Sequence, residues 1–322
     1  MRRREFVRNL VAGGILLNRS RVAAQATQDP QPPEFTAHGD LVIERAVAGK
    51  PHAGKVLAAI QPHSDDIPIF AAGTVAKLIN EGYTAYLIRV TNDDMAGPGS
   101  VGNTVLANEK DNQEVGRVLG FQKIFDLNYG NHQMDGISRP ELRSRLIFLF
   151  RLLKVDTIIT YDPWGHYEEN PDHYVTSQCV EAACWMASRD KDYPEQFAAG
   201  LIPHGVSEKY YFARFQQRVN RIVDISSTFE KKIDVLLMNK AQGPAGETGA
   251  HLRAALAAKK QRLPLLGNND ETANREYIRE FVLGENAELG RKYGLKYAEQ
   301  FHYIGPETSA VDEYIKQHAV PL

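Results

Sequence analysis

The chain is poor in cysteine: of its 322 residues, only Cys179 and Cys184 carry thiols. Five positions apart in one apparent helix, they fall on different faces and cannot readily close a bridge. A disulfide framework and a thiolate metal site are both excluded, and the two residues read as small apolar core. Charge of either sign is not in excess. Lys and Arg total 38 against 40 Asp and Glu, for a formal net charge of −2, and no long basic tract follows the amino-terminal segment. Nucleic acid is therefore a poor candidate partner, because phosphate binding needs concentrated cations. Long hydrophobic runs are missing too. The apolar stretch from Leu10 to Leu17 is far below the roughly 20 residues that span a bilayer, so no permanent membrane helix is expected. The glycines of Gly97-Pro98-Gly99 do not form a GxGxxG fingerprint, which argues against dinucleotide binding. No internal repeat is present.

What is there is an order of apolar runs, each ending in polar residues. Val56-Leu57-Ala58-Ala59-Ile60 leads into Gln61-Pro62-His63-Ser64-Asp65-Asp66, and the segment from Ile67 to Ile79 reads as a helix. Thr84 to Thr91 is a second strand, followed by Asn92-Asp93-Asp94 and a helix from about Val105 to Leu119. A strand over Lys123–Leu127, a helix over Pro140–Leu153 and a strand over Asp156–Thr160 complete the pattern. Strands alternating with helices at this spacing predict a Rossmann-like α/β fold with a mainly parallel sheet flanked by helices. Right-handed crossovers bring the strand exits to one rim, where open α/β sheets bind their ligands.

Two of those exits carry chemistry. The first offers a histidine and two adjacent carboxylates. The second, Tyr161-Asp162-Pro163-Trp164-Gly165-His166-Tyr167-Glu168-Glu169-Asn170-Pro171-Asp172-His173, ends in a good helix entry, with Asn or Asp to cap and Pro tolerated in the first turn. Singly, each motif is more often a turn, a cap or a structural histidine. Together, at two exits of one sheet, they read as a mixed His and carboxylate site for a borderline-soft cation. Such a site leaves a coordination position for water.

The paired motifs, His63-Ser64-Asp65-Asp66 and Asn170-Pro171-Asp172-His173, resemble those of the PIG-L/LmbE family of zinc-dependent N-deacetylases, and Tyr161-Asp162-Pro163 looks like the branch containing the mycothiol-precursor deacetylase. The resemblance spans roughly residues 55–242. It implies Zn²⁺, or another divalent transition metal, on His63, Asp66 and His173, with Asp65 as general base toward a metal-activated water. Two departures stand out. Ser64 replaces a proline and is expected to carry no chemistry. Asn170 replaces a histidine that the family uses beside the oxyanion; its amide can donate a hydrogen bond, and His166, four residues earlier, is the candidate to take over the charge. The resemblance also implies sugar-hydroxyl contact by an acidic residue after the second strand, Asp94 or its neighbour Asp93. The family's arginine on the next helix has no match in Leu106-Ala107-Asn108-Glu109. Trp164, Tyr167 and Tyr129 are candidates for an aromatic wall, and His132 reads as a rim residue.

Arg3-Arg4-Glu5-Phe6-Val7-Arg8 resembles a twin-arginine export signal, and Ala24-Gln25-Ala26 fits a small-x-small cleavage site. The expected organisation is a signal over 1–26, a linker over 27–40, a deacetylase domain over 41–245 and a helical extension over 246–322 packed on the same domain. The expected protein is exported, periplasmic or extracellular, and meets the twin-arginine machinery on the way. Its expected activity is removal of an N-acetyl group from an N-acetylated amino sugar or glycoconjugate. The alternatives are an amidase for a bulkier acyl amide of a sugar conjugate and a carbohydrate-binding relative weakened by Asn170.

Overall fold

The computed structural model describes residues 41–306 and 309–321; the signal and linker expectations lie outside them. Eight strands form one sheet: β1 (Val42–Glu44), β2 (Val56–Gln61), β3 (Thr84–Thr91), β4 (Lys123–Tyr129), β5 (Thr157–Tyr161), β6 (Glu208–Phe212), β7 (Arg221–Asp224) and β8 (Ala298–Ile304). Their order is β1-β7-β8-β6-β5-β2-β3-β4. All neighbours pair parallel except β8, which runs antiparallel to both β6 and β7. The α/β class with a mainly parallel sheet is as the alternation predicts.

From β2 the chain builds outward through β3 to β4, then returns to place β5 on the other side of β2. The crevice beyond the carboxyl ends of β2 and β5 is thus the switch point of the sheet, where such folds bind ligands. β2 is apolar from Val56 to Ile60 because both its faces are covered. Leu57 and Ala59 join one core with Val75, Val115 and Ile233, while Ala58 and Ile60 join the other with Leu146, Phe150 and Val180. Cys179 and Cys184 are buried free thiols of that second core.

The helices begin where the sequence supplies caps. Helices α1 (Asp66–Phe70), α2 (Ala72–Asn80), α3 (Val101–Leu119), α4 (Arg139–Leu153) and α5 (Pro171–Ala187) follow the first strands. Ser100 caps α3 by accepting from the Asn103 N–H, and Gly120 ends it at φ 89°, a conformation that glycine adopts without a Cβ penalty. Asn170 caps α5 through the Asp172 N–H, with Pro171 in the first turn. No helix among the described residues is long and apolar enough to cross a membrane.

Two expectations need correction. The helix read over Ile67–Ile79 is two helices, broken at Ala71. The region after residue 245 is not purely helical. Between its helices Thr248–Ala258, Asp270–Tyr277, Gly284–Lys292 and Ala310–His318 it contributes β8, in the middle of the sheet. β8 escapes the apolar pattern because Glu299 and His302 are buried in it. Glu299 is matched locally: its carboxylate lies 2.6 Å from Lys232 Nζ and accepts from the Gly73 and Thr74 N–H groups at 3.0 and 2.8 Å.

Candidate metal site

β2 ends at Gln61, and the next turn carries His63, Asp65 and Asp66 into the crevice. Asp65 occupies the N-cap position of α1, yet its side chain does not cap the helix. It accepts from Gln242 Nε2 at 2.9 Å instead. Asp66 folds back so that Oδ2 accepts from the His63 N–H at 2.8 Å. From β5 and α5 come Tyr161, Asn170, Asp172 and His173. The described residues hold one cluster of metal-ligand type, His63, Asp66 and His173, all buried, with ligand atoms within 4.8 Å of one another.

The donors face a common point. His63 Nδ1 is 3.0 Å from His173 Nε2 and 3.4 Å from Asp66 Oδ2, and His173 Nε2 is 3.6 Å from Asp66 Oδ1. A tetrahedral zinc with Zn–N near 2.0–2.1 Å sets its ligand atoms about 3.3 Å apart, so the three separations bracket what such a centre needs. Each donor is also held from behind. Asp172 Oδ2 lies 3.0 Å from His63 Nε2 and accepts from the His132 N–H at 2.8 Å. Glu168 Oε1 approaches His173 Nδ1 to 3.0 Å, a close ion-pair contact without ideal hydrogen-bond direction. Tyr161 donates to Asp66 Oδ1 at 2.9 Å and stacks on His173, with ring centroids 4.1 Å apart. Carboxylates behind ring nitrogens leave the opposite nitrogens to turn their lone pairs to a cation. The donor set fits a divalent metal.

The electrostatics agree with that fit. Burial alone would disfavour charge on His63, but Asp172 and Asp66 overcome it and push the imidazole up to about 10. Burial would raise Asp66, and His173 with His63 outweighs it, holding this carboxylate well below its ordinary range. His173 is pushed down by burial. Burial drives the Tyr161 phenol far above its ordinary value, so it stays a neutral donor. Buried carboxylates around two facing imidazoles thus make a seat for positive charge.

The remaining expected residues are distributed unevenly. Asn170 is buried, with Nδ2 3.5 Å from His173 Nε2, and so it faces the metal position. His166 is exposed on the loop, where its ring neighbours Tyr167. Asp93 is wholly buried; Oδ2 accepts from the Ser64 N–H at 3.1 Å and from Arg89 at 3.4 Å, so it holds the first motif from below. Asp94 is the member of the pair that reaches the rim, where Oδ1 accepts from the Asn131 N–H. Trp164 is half-exposed and leans on Tyr211 and His302, while Tyr167 is fully on the surface at φ 56°. Tyr129 spends its hydroxyl on Glu141, and His132 is an exposed rim residue that contributes its backbone N–H.

Sequence reasoning missed several partners. Glu168 and Asp172 lie inside the second motif, and their nearness to His173 was the available signal. Tyr161 reads as the end of an apolar strand. Arg214, 3.7 Å from Glu168, and Gln242 come from distant loops and give no local signal. His302 of β8 lies 3.1 Å from Asp162, whose other oxygen accepts from the Trp164 N–H at 2.8 Å. The carboxy-terminal strand thereby braces the loop that carries Glu168 and Asn170.

This arrangement has counterparts among known proteins. Residues 58–184 match the family profile described as PIG-L, GlcNAc-PI de-N-acetylase. The diacetylchitobiose deacetylase of Thermococcus kodakarensis is 26% identical over 193 residues, covering 59% of this chain and 71% of that protein. In fold, the chain is similar to the N,N'-diacetylchitobiose deacetylase of Pyrococcus horikoshii, with a TM-score of 0.63 and 23% identity over 83% of this chain and 87% of that one. It also resembles the conserved protein TT1542 of Thermus thermophilus, with a TM-score of 0.56 and 19% identity over 79% and 95% of the two chains. A hydratase, GalB of Pseudomonas putida, shares the fold as well, with a TM-score of 0.57 and 15% identity over 79% and 98%. The fold thus serves more than one chemistry, and the site residues must carry the assignment. The segment that resembles the PIG-L family, residues 58–184, holds His63, Asp65, Asp66 and His173 at the exits of β2 and β5.

Proposed function

We propose that this protein is a zinc-dependent N-deacetylase that releases acetate from an N-acetylated amino sugar or glycoconjugate. The observation that carries the reading is the buried His63, Asp66 and His173 cluster with a further carboxylate, Asp65, beside it and not needed as a ligand. The names of the relatives from Thermococcus and Pyrococcus, both diacetylchitobiose deacetylases, support an acetylated amino sugar as the substrate class.

His63, Asp66 and His173 would hold the ion. When bound, a divalent cation supplies a Lewis acid for the acyl carbonyl and a water that ionises near neutral pH. Asp65 takes the proton of the attacking water and returns it to the departing amine, so one carboxylate acts as base and then as acid. Asn170 turns its amide N–H toward the charge that develops on the acyl oxygen. Tyr161 and Asp172 keep Asp66 and His63 in ligating orientation. Trp164 and Asp94 stand at the rim as sugar contacts, the first by stacking and the second through hydroxyl groups. The twin-arginine-like Arg3-Arg4 and the Ala24-Gln25-Ala26 segment support an exported location.

The test is acetate release from N-acetylglucosamine and its short oligomers by protein stripped with a chelator and then reloaded with zinc. Turnover that is lost on stripping and recovered on reloading is expected. A fully loaded protein that releases no acetate from these compounds would overturn the proposal.

A further inference from the structure

Ser64 stands where the family pattern has proline, and the structure gives it a task that proline cannot perform. The residue is completely buried, and each of its polar groups is engaged. Its N–H donates to Asp93 Oδ2 at 3.1 Å, and its carbonyl accepts from Asn239 Nδ2 at 3.3 Å. Its hydroxyl lies between two amide oxygens, Gln242 Oε1 at 3.2 Å and Asn108 Oδ1 at 3.4 Å. Gln242 Nε2 in turn donates to Asp65 Oδ1 at 2.9 Å.

The direction of this chain follows from the chemistry of its ends. An ionised carboxylate only accepts, so the Gln242 amide must turn its NH₂ to Asp65. The carbonyl of that amide then faces Ser64 Oγ, and the hydroxyl must donate. Asn108 competes weakly: its contact is longer, and its own orientation is fixed by donation to the carbonyls of Asp93, Ala96 and Thr104. The arm that carries Gln242 is anchored as well, because Asp111 of α3 accepts from the N–H groups of Lys240 and Ala241 at 2.6 and 2.7 Å.

We propose that Ser64, acting through Gln242, is a positioning residue for Asp65. The hydroxyl fixes the Gln242 amide, and the amide fixes the carboxylate in the rotamer that moves the proton. Gln242 comes from 177 positions away, and its side-chain amide is oriented between these two partners, Ser64 and Asp65. A proline at position 64 would supply neither the hydroxyl nor the N–H that reaches Asp93.

This inference rests on the reading of Asp65 as the proton-transfer group, and the experiment separates the two. Zinc-loaded wild type, Ser64→Ala, Gln242→Ala and the double variant are compared for zinc content, for kcat and KM in acetate release, and for hydrogen exchange of the Gln242 side-chain amide by NMR. Ser64→Cys, a near-isosteric weak donor, replaces Ser64→Ala if the latter does not fold. Ser64→Ala should keep its zinc and its KM, lose about 3- to 10-fold in kcat, the worth of one neutral hydrogen bond, and exchange the Gln242 amide faster. In the double variant, loss of the hydroxyl should add nothing to Gln242→Ala. Unchanged amide exchange in Ser64→Ala, or losses that multiply in the double variant, would overturn the relay. Should wild type release no acetate while Ser64→Ala still loosens the amide, the relay stands and the deacetylase reading falls.

Discussion

Asp172 grips His63 from the far side of the ring: its Oδ2 lies 3.0 Å from Nε2 while accepting the His132 N–H at 2.8 Å. Two elements far apart in sequence thereby dictate which imidazole nitrogen faces the metal position. Supporting carboxylates of this kind are worth about 10–100-fold in metal affinity. Asp172→Ala should therefore weaken zinc binding by that factor, measured by competition with a chelator. His63→Ala, Asp66→Ala and His173→Ala should each abolish stoichiometric binding. Full retention of zinc in all three ligand variants would remove the site.

Asp65→Asn keeps the three ligands and the shape of the side chain. It should retain zinc and the thermal midpoint of the wild type, yet lose about 10²–10⁴-fold in kcat. Elemental analysis and steady-state kinetics on one preparation give both numbers. A variant that keeps turnover excludes Asp65 as the base.

Asn170 and His166 are separated by the same kinetics. Asn170 is buried with its amide toward His173, and His166 is exposed. Asn170→Ala should cost about tenfold or more in kcat, and His166→Ala much less. The reverse order would mean that the loop closes on substrate and that His166 supplies the charge the asparagine lacks.

A fourth expectation concerns stability. Lys232 and Glu299 form a buried ion pair at 2.6 Å, and Glu299 also accepts two N–H groups at the start of α2. Removing one member leaves the other charged without its partner, which costs roughly 3–5 kcal/mol. Urea unfolding of Lys232→Met should show a loss of that size, and a change below about 1 kcal/mol would mean that water reaches Glu299.

The proposed export route, in which a receptor reads the paired arginines, predicts that Arg3→Lys combined with Arg4→Lys leaves precursor in the cytoplasm. Amino-terminal sequencing of the exported wild-type chain should begin near Thr27. Unchanged export of the double-lysine variant would refute the route.

The first half of the sheet and the meeting of His63, Asp66 and His173 were legible because their signals are local. Runs such as Val56–Ile60 are apolar on both faces, and the ligands sit within a few residues of the strand ends. What was illegible depends on contacts between distant segments. Nothing near Gln242 marks it as the partner of Asp65, and Ser64 looks inert until Gln242 is seen beside it. β8 was hidden for a related reason: Glu299 is a poor strand-core residue until Lys232 and the amides of α2 are placed around it. The helix expected over Ile67–Ile79 is two helices because periodicity alone does not register the break at Ala71.

Among the described residues, β8 joins β7 to β6 and β1 pairs with β7 alone, so the β1–β7 pair reaches the rest of the sheet only through residues 298–304. During synthesis, then, β1 and β7 emerge long before the strand that will attach them. Until residue 304 has left the ribosome, β6 and β7 each keep an unpaired edge and Lys232 lacks its counter-ion. The half that holds His63, Asp66 and His173 can organise early, but the sheet closes only after residues 298–304 have emerged. A nascent chain paused before Ala298 would be a species with open strand edges, the kind that chaperones hold.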